Sequence, residues 1–226
     1  MRTILNSNQW AEVAKELENE HLKLASYDTT LIPLLDKGKG LKVLDYGSGP
    51  GVLASALKKL GFQTKAFDIA PGMRSACAEK IGLENVYAFP DDLPNNSFDY
   101  VVCNLVLCIN LDEEVENIIQ NINRTLKSDG DAFIGFCNPH IFSVPESRLD
   151  LRGQTGFDYA TNHIYKKIKK EGLYEILELH RPVEWYAKKF SQAGLKIAET
   201  IFTPEYELNG KKINDFVIFR VKKGGN

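Results

Sequence analysis

The stretch Leu41-Lys-Val-Leu-Asp-Tyr-Gly-Ser-Gly-Pro-Gly51 decides the fold of this chain. The apolar residues before Asp45 form a short run of the kind found in buried parallel strands. Alternate glycines follow, and residues 52–60 have the apolar spacing of an amphipathic helix. Glycines let the backbone approach a ligand closely, and a helix N-terminus presents unpaired N–H groups. The stretch therefore predicts the opening of a nucleotide-binding βαβ unit.

The spacing of the glycines separates two kinds of cofactor. A dinucleotide fingerprint is G-x-G-x-x-G and brings a pyrophosphate to the helix N-terminus, whereas Gly47, Gly49 and Gly51 follow the pattern G-x-G-x-G. Asp45 stands two residues before the first glycine, and a carboxylate there would repel a phosphate. The loop favours a ligand with a positively charged amino-acid group, and it disfavours a nicotinamide dehydrogenase.

Residues 43–51 resemble motif I of the class I S-adenosylmethionine-dependent methyltransferases, and later segments extend the resemblance over residues 41–138. The resemblance implies S-adenosylmethionine as the cofactor and S-adenosylhomocysteine as the product. It also implies that Asp45 lies near the methionine part of the cofactor, beside a loop made by Gly47, Ser48 and Gly49.

A second acidic residue, Asp68, ends the next predicted strand about twenty residues after the glycines, where nucleotide-binding folds place a ribose-binding acid. A carboxylate accepts both hydroxyls of a vicinal diol, and each charge-assisted bond contributes about 1.5–3 kcal/mol. Ile69 follows directly. Met73, in the first turn of the next predicted helix, could contact the adenosine or fill the core.

The loop after a predicted third strand at residues 85–89 contains Asp91, Asp92 and Leu93. The resemblance implies that an acid here accepts from the adenine amino group, and that the next backbone N–H meets the ring. The sequence does not choose between Asp91 and Asp92, and aspartate also supplies turn chemistry.

After residues 43–51, the second segment with a specific resemblance to this methyltransferase family spans residues 97–109. Asn104 and Leu105 end a buried strand there, at the sheet edge where open α/β folds bind ligands. Resemblance to motif IV places both residues beside the cofactor and the transferable methyl group. The segment has no Asn/Asp-Pro-Pro-Tyr tetrapeptide and no Pro-Cys nucleophile, which are signatures of methylation at planar amide or base nitrogens and at cytosine carbon.

We expect one α/β domain over residues 1–226, with a Rossmann-like, doubly wound, seven-stranded and mostly parallel sheet whose last strand is antiparallel. Helices in residues 1–40 should cover the pocket, and residues 41–138 should form the cofactor-binding core. Residues 139–181 are expected to be a substrate cap inserted after strand 5, and residues 182–226 to form the last helix and strands.

Finer predictions concern helices and the cap. Helices are predicted at residues 9–24 and 29–35, with Asp28 capping the second, and Asp112 is expected to cap a later helix. Tyr27, between the first two helices, could close over the ligand or pack on the sheet. Within the cap, residues 163–170 and 173–180 read as two joined strands.

Methyl transfer requires an aligned, dry acceptor, and a general base only where a proton must leave early. His140, directly after the fifth strand, is the best-placed candidate, although a histidine at such a position is more often an ordinary loop residue. Four further residues could face the acceptor, and the sequence does not rank them: Tyr159, His163, Tyr165 and Glu184.

The composition of the chain indicates its cellular compartment and excludes some classes of binding partner. The 226 residues carry a net charge of −2, so no basic field points to nucleic acid or an acidic membrane. No apolar run approaches membrane-spanning length, and the N-terminus has no signal-peptide pattern. The four cysteines lack Cys-x-x-Cys spacing and the four histidines are far apart, so we expect a cytoplasmic enzyme without a metal.

The leading interpretation is transfer of a methyl group from S-adenosylmethionine to a small-molecule acceptor by in-line displacement. Residues 180–195 resemble the same region of small-molecule methyltransferases. Two alternatives stay open: an RNA or protein methyltransferase, suggested by the lysines within residues 166–170, and a cofactor-binding regulatory subunit without catalysis. The sequence also leaves open whether the chain forms a homo-oligomer.

Overall fold

A computed structural model describes residues 2–4, 9–18, 23–35, 38–143, 151–152, 158–161, 163–168 and 174–224. The strands in chain order are β1 (Arg2–Ile4), β2 (Lys42–Tyr46), β3 (Gln63–Phe67), β4 (Val86–Tyr87), β5 (Phe98–Asn104), β6 (Leu126–Cys137), β7 (Leu151–Arg152), β8 (His163–Ile168), β9 (Tyr174–His180), β10 (Leu195–Phe202), β11 (Tyr206–Leu208), β12 (Lys211–Ile213) and β13 (Phe216–Lys223). The α-helices are α1 (Ala14–Glu18), α2 (Thr29–Leu34), α3 (Val52–Lys59), α4 (Pro71–Ile81), α5 (Asp112–Thr125) and α6 (Val183–Gln192). Shorter helical segments are the 3-10 turns Gln9–Val13, Leu83–Asn85, Pro90–Asp92, Leu107–Ile109 and Pro139–Ser143, and the π-helical segment Lys23–Asp28.

The main sheet has seven strands in the order β10-β13-β6-β5-β2-β3-β4. Strands β2 to β6 pair in parallel, whereas β13 runs antiparallel to both β6 and β10. The predicted Rossmann-like sheet with an antiparallel last strand is therefore confirmed. Four of the five residues of β2 are buried, as expected for a central strand that is covered on both faces.

The order of the strands reverses at β2, which lies between β5 and β3. Asp45, near the end of β2, is in register with Val102 on β5 and Ala66 on β3. The carboxyl ends of the three strands therefore meet at one edge of the sheet. In open α/β sheets this switch point is where a ligand crevice forms.

Helices cover both faces of this sheet. On one face α5 and α6 contribute buried apolar side chains such as Ile119, Ile122 and Phe190. On the other face α2 and α3 contribute Leu31 and Leu57. Full burial of each such side chain contributes about 1.5–3 kcal/mol, so both layers fix the sheet that carries the strand ends.

A second, four-stranded sheet has the order β1-β9-β8-β7. Strands β8 and β9 pair antiparallel, which confirms the pair of strands predicted after the fifth strand. β1, from the N-terminus, pairs in parallel with β9, a contact that the sequence did not predict. The cap residues 144–150, 153–157, 162 and 169–173 lie outside the described residues.

The predictions for three element boundaries were wrong. Residues 9–18 begin as a 3-10 turn and become α-helical only at Ala14. Asp28 belongs to the π-helical segment and its side chain makes no capping hydrogen bond to α2. Asp112 is the first residue of α5 and Leu111 is its cap; the Asp112 carboxylate accepts a hydrogen bond from Arg181. Among the described residues, no helix is both long enough and apolar enough to cross a membrane.

Candidate active site

A cavity of about 810 Å³ lies at the sheet edge where β2, β3 and β5 end. Its wall is formed by the glycine loop after β2, by the residues following β3 and β5, and by the start of α5. The inner side of β8 and β9 closes it from above, and Trp10 and Leu17 contribute from the N-terminal helical segments. A volume of this size is typical of small-molecule and cofactor sites.

The glycine loop forms an open backbone cradle in this wall. The N–H groups of Gly47 and Ser48 both donate to the carbonyl oxygen of Phe67, at 2.7 and 3.0 Å, which ties the loop to the end of β3. Gly49 has a φ of +53° and faces open space, since a Cβ added there would meet nothing within 4 Å. Glycine adopts this conformation without steric cost, and the space above it is left to a ligand.

Asp68 stands beside the cradle with its carboxylate fixed by the backbone. One oxygen accepts the Gly49 N–H and the other accepts the Ala70 N–H, each at 2.8 Å. Burial raises the pKa of this carboxyl above its ordinary value, and the two backbone hydrogen bonds and Arg74 oppose that rise. Each carboxylate oxygen still has a lone pair for a further hydrogen bond.

Asp45 adds a second buried acid to the same wall, with 2% of its surface exposed. Burial raises the pKa of the neighbouring Cys77 thiol to about 11, and the negative charges of Asp45 and Asp68 contribute to the rise. The loop therefore lies in a negative potential. Such a potential stabilises a positively charged group on a ligand.

Asn104, at the end of β5, is held from behind by Tyr27. Tyr27 is fully buried and its hydroxyl donates to the Oδ1 atom of Asn104. The amide nitrogen of Asn104 is buried without a hydrogen-bond partner among the described residues. Asn104 lines the cavity and Tyr27 does not, so Tyr27 orients the amide instead of closing over a ligand.

The residue after Asn104 has an unusual backbone. Leu105 has a φ of +58°, in the left-handed region that a leucine rarely adopts, and its N–H donates to Gly135 at 2.8 Å. Strain of this kind collects where the surrounding structure fixes a functional loop. Leu105 and Val106 both line the cavity.

The structure brings together nine of the residues that the sequence proposed for the cofactor, since all of them line the cavity: Asp45, Gly47, Ser48, Gly49, Asp68, Ile69, Met73, Asn104 and Leu105. The loop predicted to meet the adenine contributes only Pro90 to the wall. Asp91 and Asp92 are exposed on a 3-10 turn, and Leu93 is buried in the core.

The proposed general base lies elsewhere. His140 is exposed and its ring stacks on Tyr159, with the ring centres 4.6 Å apart. The Tyr159 hydroxyl is 3.4 Å from Glu184, and none of these three residues lines the cavity. The structure does not describe the side chains of His163 and Tyr165.

Sequence reasoning missed Glu178, on the cap strand β9. Only 1% of its surface is exposed, it lines the cavity, and its Oε1 atom lies 4.0 Å from the Cys137 sulfur. In β9 the buried positions alternate as Ile176, Glu178 and His180. The sequence signal was an acid on the same face of the strand as Ile176. Leucines at the intervening positions made it impossible to tell from the sequence which face is buried.

Arg181 was also missed. Its guanidinium is fully buried and donates to the carboxylate of Asp112, and to the carbonyl oxygens of Leu107 and Asn110 at 3.0 and 2.7 Å. It lies over the Trp185 ring at 4.8 Å. These bonds fix the turn between β5 and α5, which forms part of the cavity wall.

In the described part of the chain, no group of three or more histidine, cysteine, aspartate or glutamate side chains is placed to hold a metal ion.

Residues 44–134 match a family model described as a methyltransferase domain. A ribosomal protein L11 methyltransferase of Ralstonia pickettii is 44% identical over 71 residues, which are 30% of this chain and 24% of that protein. A ubiquinone biosynthesis O-methyltransferase of Rickettsia typhi is 29% identical over 153 residues, covering 61% of this chain and 58% of that protein. The chain therefore matches about a quarter of the first relative's length and less than two thirds of the second's.

Solved structures of S-adenosylmethionine-dependent methyltransferases share the fold. One is a 1,6-didemethyltoxoflavin-N1-methyltransferase of Burkholderia thailandensis, solved with 1,6-didemethyltoxoflavin and S-adenosylhomocysteine bound. It has a TM-score of 0.57 and 16% identity, and the alignment covers 95% of this chain and 90% of that one.

Proposed function

We propose that this chain is a class I S-adenosylmethionine-dependent methyltransferase that transfers the methyl group to a small-molecule acceptor. Its motifs, the match of residues 44–134 to a methyltransferase family model and its fold support the proposal. The observation that carries the proposal is a single cavity that joins the glycine cradle and two strand-end acids to the inner side of the cap.

The residues around the cradle fit the cofactor. Asp45 supplies a buried carboxylate for its ammonium group, and Asp68 supplies fixed acceptors for the ribose diol. The open space over Gly49 would admit the amino-acid part without a clash. The buried amide nitrogen of Asn104 adds a donor for a polar atom of the ligand.

When bound, S-adenosylmethionine supplies an electrophilic methyl group on a sulfonium with a good leaving group. The task of the protein is then to align the acceptor and exclude water. Leu105 and Val106, fixed by the strained backbone after β5, form the floor on which the acceptor would rest. Leu177 and Leu179 of the cap provide an apolar roof that keeps water out.

A small acceptor is favoured over a polymer because the cap covers the sheet edge. Strands β8 and β9 contribute Ile164 and residues 176–179 to the cavity wall, so the acceptor would enter a chamber instead of lying on an open groove. The relative from Rickettsia typhi is, by its name, an O-methyltransferase of ubiquinone biosynthesis, and the structural neighbour from Burkholderia thailandensis methylates 1,6-didemethyltoxoflavin. Both names support a small acceptor, whereas the ribosomal protein L11 methyltransferase matches only a short segment.

Two measurements test the proposal. Calorimetric titration with S-adenosylmethionine should give saturable binding, whereas NADH should give none. Incubation of the chain with labelled S-adenosylmethionine and a metabolite extract, followed by mass analysis, should then reveal a small molecule that has gained a methyl group.

The same incubation discriminates between the alternatives. Label that appears only in RNA or protein would point to a polymer substrate, whose binding should weaken steeply as salt is raised if it is RNA. Cofactor binding without any accumulation of S-adenosylhomocysteine would instead indicate a regulatory subunit. Binding of NADH and not of S-adenosylmethionine would contradict the proposal outright.

A further inference from the structure

The order of the strands indicates where the base of the cofactor would lie. β2, β3 and β4 are neighbours in the sheet. The proposed cofactor meets the cradle after β2 with its amino-acid part, and Asp68 after β3 with its ribose. Its adenine would then extend toward the loop that follows β4. Ile69 and Met73 follow β3, Pro90 follows β4, and all three line the cavity.

Arg124, in the last turn of α5, stands behind this part of the wall and does not line the cavity itself. Its Nη2 atom donates to the carbonyl oxygen of Pro90 at 2.8 Å, and its Nη1 atom donates to that of Leu93 and to Oδ1 of Asn95, each at 2.6 Å. The Nε and Nη2 atoms also donate to Oδ1 of Asn121, at 3.3 and 3.0 Å. Each N–H group of the guanidinium thus has an acceptor.

Two of the residues that accept these bonds belong to the cavity wall. Pro90 lies on the loop after β4, whereas Asn121 lies on α5, and both line the cavity. The Asn121 amide is also held at its nitrogen, which donates to the carbonyl oxygen of Asn117 at 3.0 Å. One guanidinium therefore fixes two sides of the cavity that come from different elements.

The loop is joined to α5 at a second place, nearer to β5. There the Asn96 N–H donates to the carbonyl oxygen of Arg124, and the Ser97 N–H donates to that of Thr125, each at 2.9 Å. These bonds are made by the backbone and do not depend on the Arg124 side chain. We therefore expect substitution of the side chain to release the Pro90 end of the loop without detaching the loop from the helix.

From these contacts we propose that Arg124 is a positioning residue for the adenine end of the cofactor site. Its guanidinium holds Pro90 and Asn121 in place, so the slot for the base is formed before the cofactor arrives. A slot that is formed in advance loses less conformational entropy when the base binds. The inference rests on the proposed function, and it adds a residue that acts on the cofactor through the cavity wall.

The helix dipole alone does not account for this arginine. A cation is favoured in the last turn of a helix, and a lysine would meet that need as well as an arginine. A lysine ammonium, however, presents its N–H groups from one nitrogen, whereas the planar guanidinium directs them from three. Arg124→Lys should therefore keep the charge and lose the simultaneous bonds to the loop and to Asn121. Arg124→Gln loses both the charge and the planar fork.

The experiment uses S-adenosylhomocysteine that carries isotopically labelled carbon in the adenine ring and in the homocysteine part. Calorimetry gives its affinity, and NMR gives the chemical shift of each label in the bound state. Arg124→Gln should weaken binding about tenfold and Arg124→Lys about threefold. In both variants the adenine signals should move or broaden, while the homocysteine signals stay at their wild-type positions. The control Arg220→Gln removes a guanidinium that bonds Asp131 at 3.1 and 2.8 Å, away from the cavity wall, and should change neither the affinity nor the signals.

Three results would overturn the inference and leave the proposed function standing. The first is wild-type affinity and wild-type adenine signals in the folded Arg124 variants. The second is homocysteine signals that move as far as the adenine signals, because a general loss of structure affects both ends of the cofactor. The third is the same change in Arg220→Gln. If Arg124→Gln does not fold, Arg124→Lys is judged by the same measurements. If S-adenosylhomocysteine does not bind to the wild-type chain, the proposed function itself fails.

Discussion

At the scale of single residues, Asp68 connects the backbone of the cradle to a ligand. Its two oxygens accept the N–H groups of Gly49 and Ala70, so the carboxylate is rigid before any ligand arrives. A rigid acceptor loses little conformational entropy when a diol binds. Affinity should therefore depend on this side chain more than on the mobile acids of the surface.

Replacing the carboxylate tests that dependence. Asp68→Ala removes both proposed ribose bonds and should weaken S-adenosylmethionine binding by a factor of about ten or more. Calorimetry measures the change, with thermal melting run alongside because the backbone bonds are lost as well. Asp129→Ala, at an exposed position on β6, is the control and should bind normally. Unchanged affinity in Asp68→Ala would contradict the assigned position of the cofactor.

The raised pKa of Asp68 predicts a pH dependence. Burial raises the pKa of this carboxyl, so it loses its charge at a higher pH than an exposed aspartate does. Affinity for S-adenosylhomocysteine should therefore fall as the pH drops through that raised pKa, before ordinary aspartates are protonated. The effect on stability has the opposite pH trend: this group's contribution to the free energy of unfolding is fully present below the ordinary pKa and is lost as pH rises through the raised one. Titrations across this range should show the fall in affinity in the wild type and not in Asp68→Asn.

Gly51 offers a second test at this scale. Its φ is +80°, and a Cβ added there would lie 2.7 Å from the Cys77 sulfur and 2.9 Å from the Cys77 Cα atom. Gly51→Ala should cost about 2–4 kcal/mol of unfolding free energy, from backbone strain and overpacking together. Gly210→Ala has a similar φ of +75° but open space around the Cβ, and should cost only about 1–2 kcal/mol. Urea denaturation measures both free energies of unfolding. Equal losses in Gly51→Ala and Gly210→Ala would show that the contact with α4 does not destabilise Gly51→Ala.

At the scale of elements, the buried guanidinium of Arg181 joins three parts of the fold. It follows β9 directly, and it bonds the 3-10 turn Leu107–Ile109 and the first residue of α5. The cap strand and the loop after β5 are thereby held in one arrangement. The position of Glu178 relative to the floor of the cavity depends on this connection.

Removing that connection should be costly. Arg181→Met leaves the carbonyl groups of Leu107 and Asn110 and the half-exposed Asp112 carboxylate without their donor, and should lower the free energy of unfolding by about 2–4 kcal/mol. The control is Lys212→Met, which breaks the exposed pair with Glu205 at 3.1 Å and should cost under about 1 kcal/mol. A loss in Arg181→Met as small as that in the control would mean that the cap does not depend on this arginine.

At the scale of the whole molecule, the N-terminus and the inserted cap enclose the sheet edge together. β1 extends the cap sheet beside β9, and Trp10 reaches the cavity wall from the next segment. Two regions that are far apart in sequence thus form one enclosure. Binding of a ligand in the cavity should therefore change the surroundings of both the N-terminal segment and the cap.

The two tryptophans report on this enclosure differently. Trp10 lines the cavity. Trp185, on α6, lies against the guanidinium of Arg181 and does not line the cavity. Binding of S-adenosylhomocysteine should change the intrinsic fluorescence of the wild type and of Trp185→Phe, but not that of Trp10→Phe. A change that persists without Trp10 would show that the N-terminal segment does not sense occupancy.

The βαβ core, the cradle and the two acids at the strand ends can be predicted from the amino-acid sequence. These features follow from local patterns: an apolar run, alternate glycines, and acids directly after strands whose parallel order is constrained by chain connectivity. Asp45, Asp68 and Asn104 could be found for that reason, because each stands at a fixed offset from a recognisable strand.

Which residues of the cap and the N-terminus meet that core depends on the packing of segments that are distant in sequence. Glu178 is buried because β9 pairs with β8 and β1 in one register, and a shift of one residue would have buried Leu177 and Leu179 in its place. Tyr27 packs behind Asn104 because Gly135 has no side chain and leaves room for the Tyr27 ring. Tyr27 and Gly135 are more than a hundred residues apart in the sequence. Local patterns carry no information on such pairings, since register and packing between distant segments are settled only when the whole core forms.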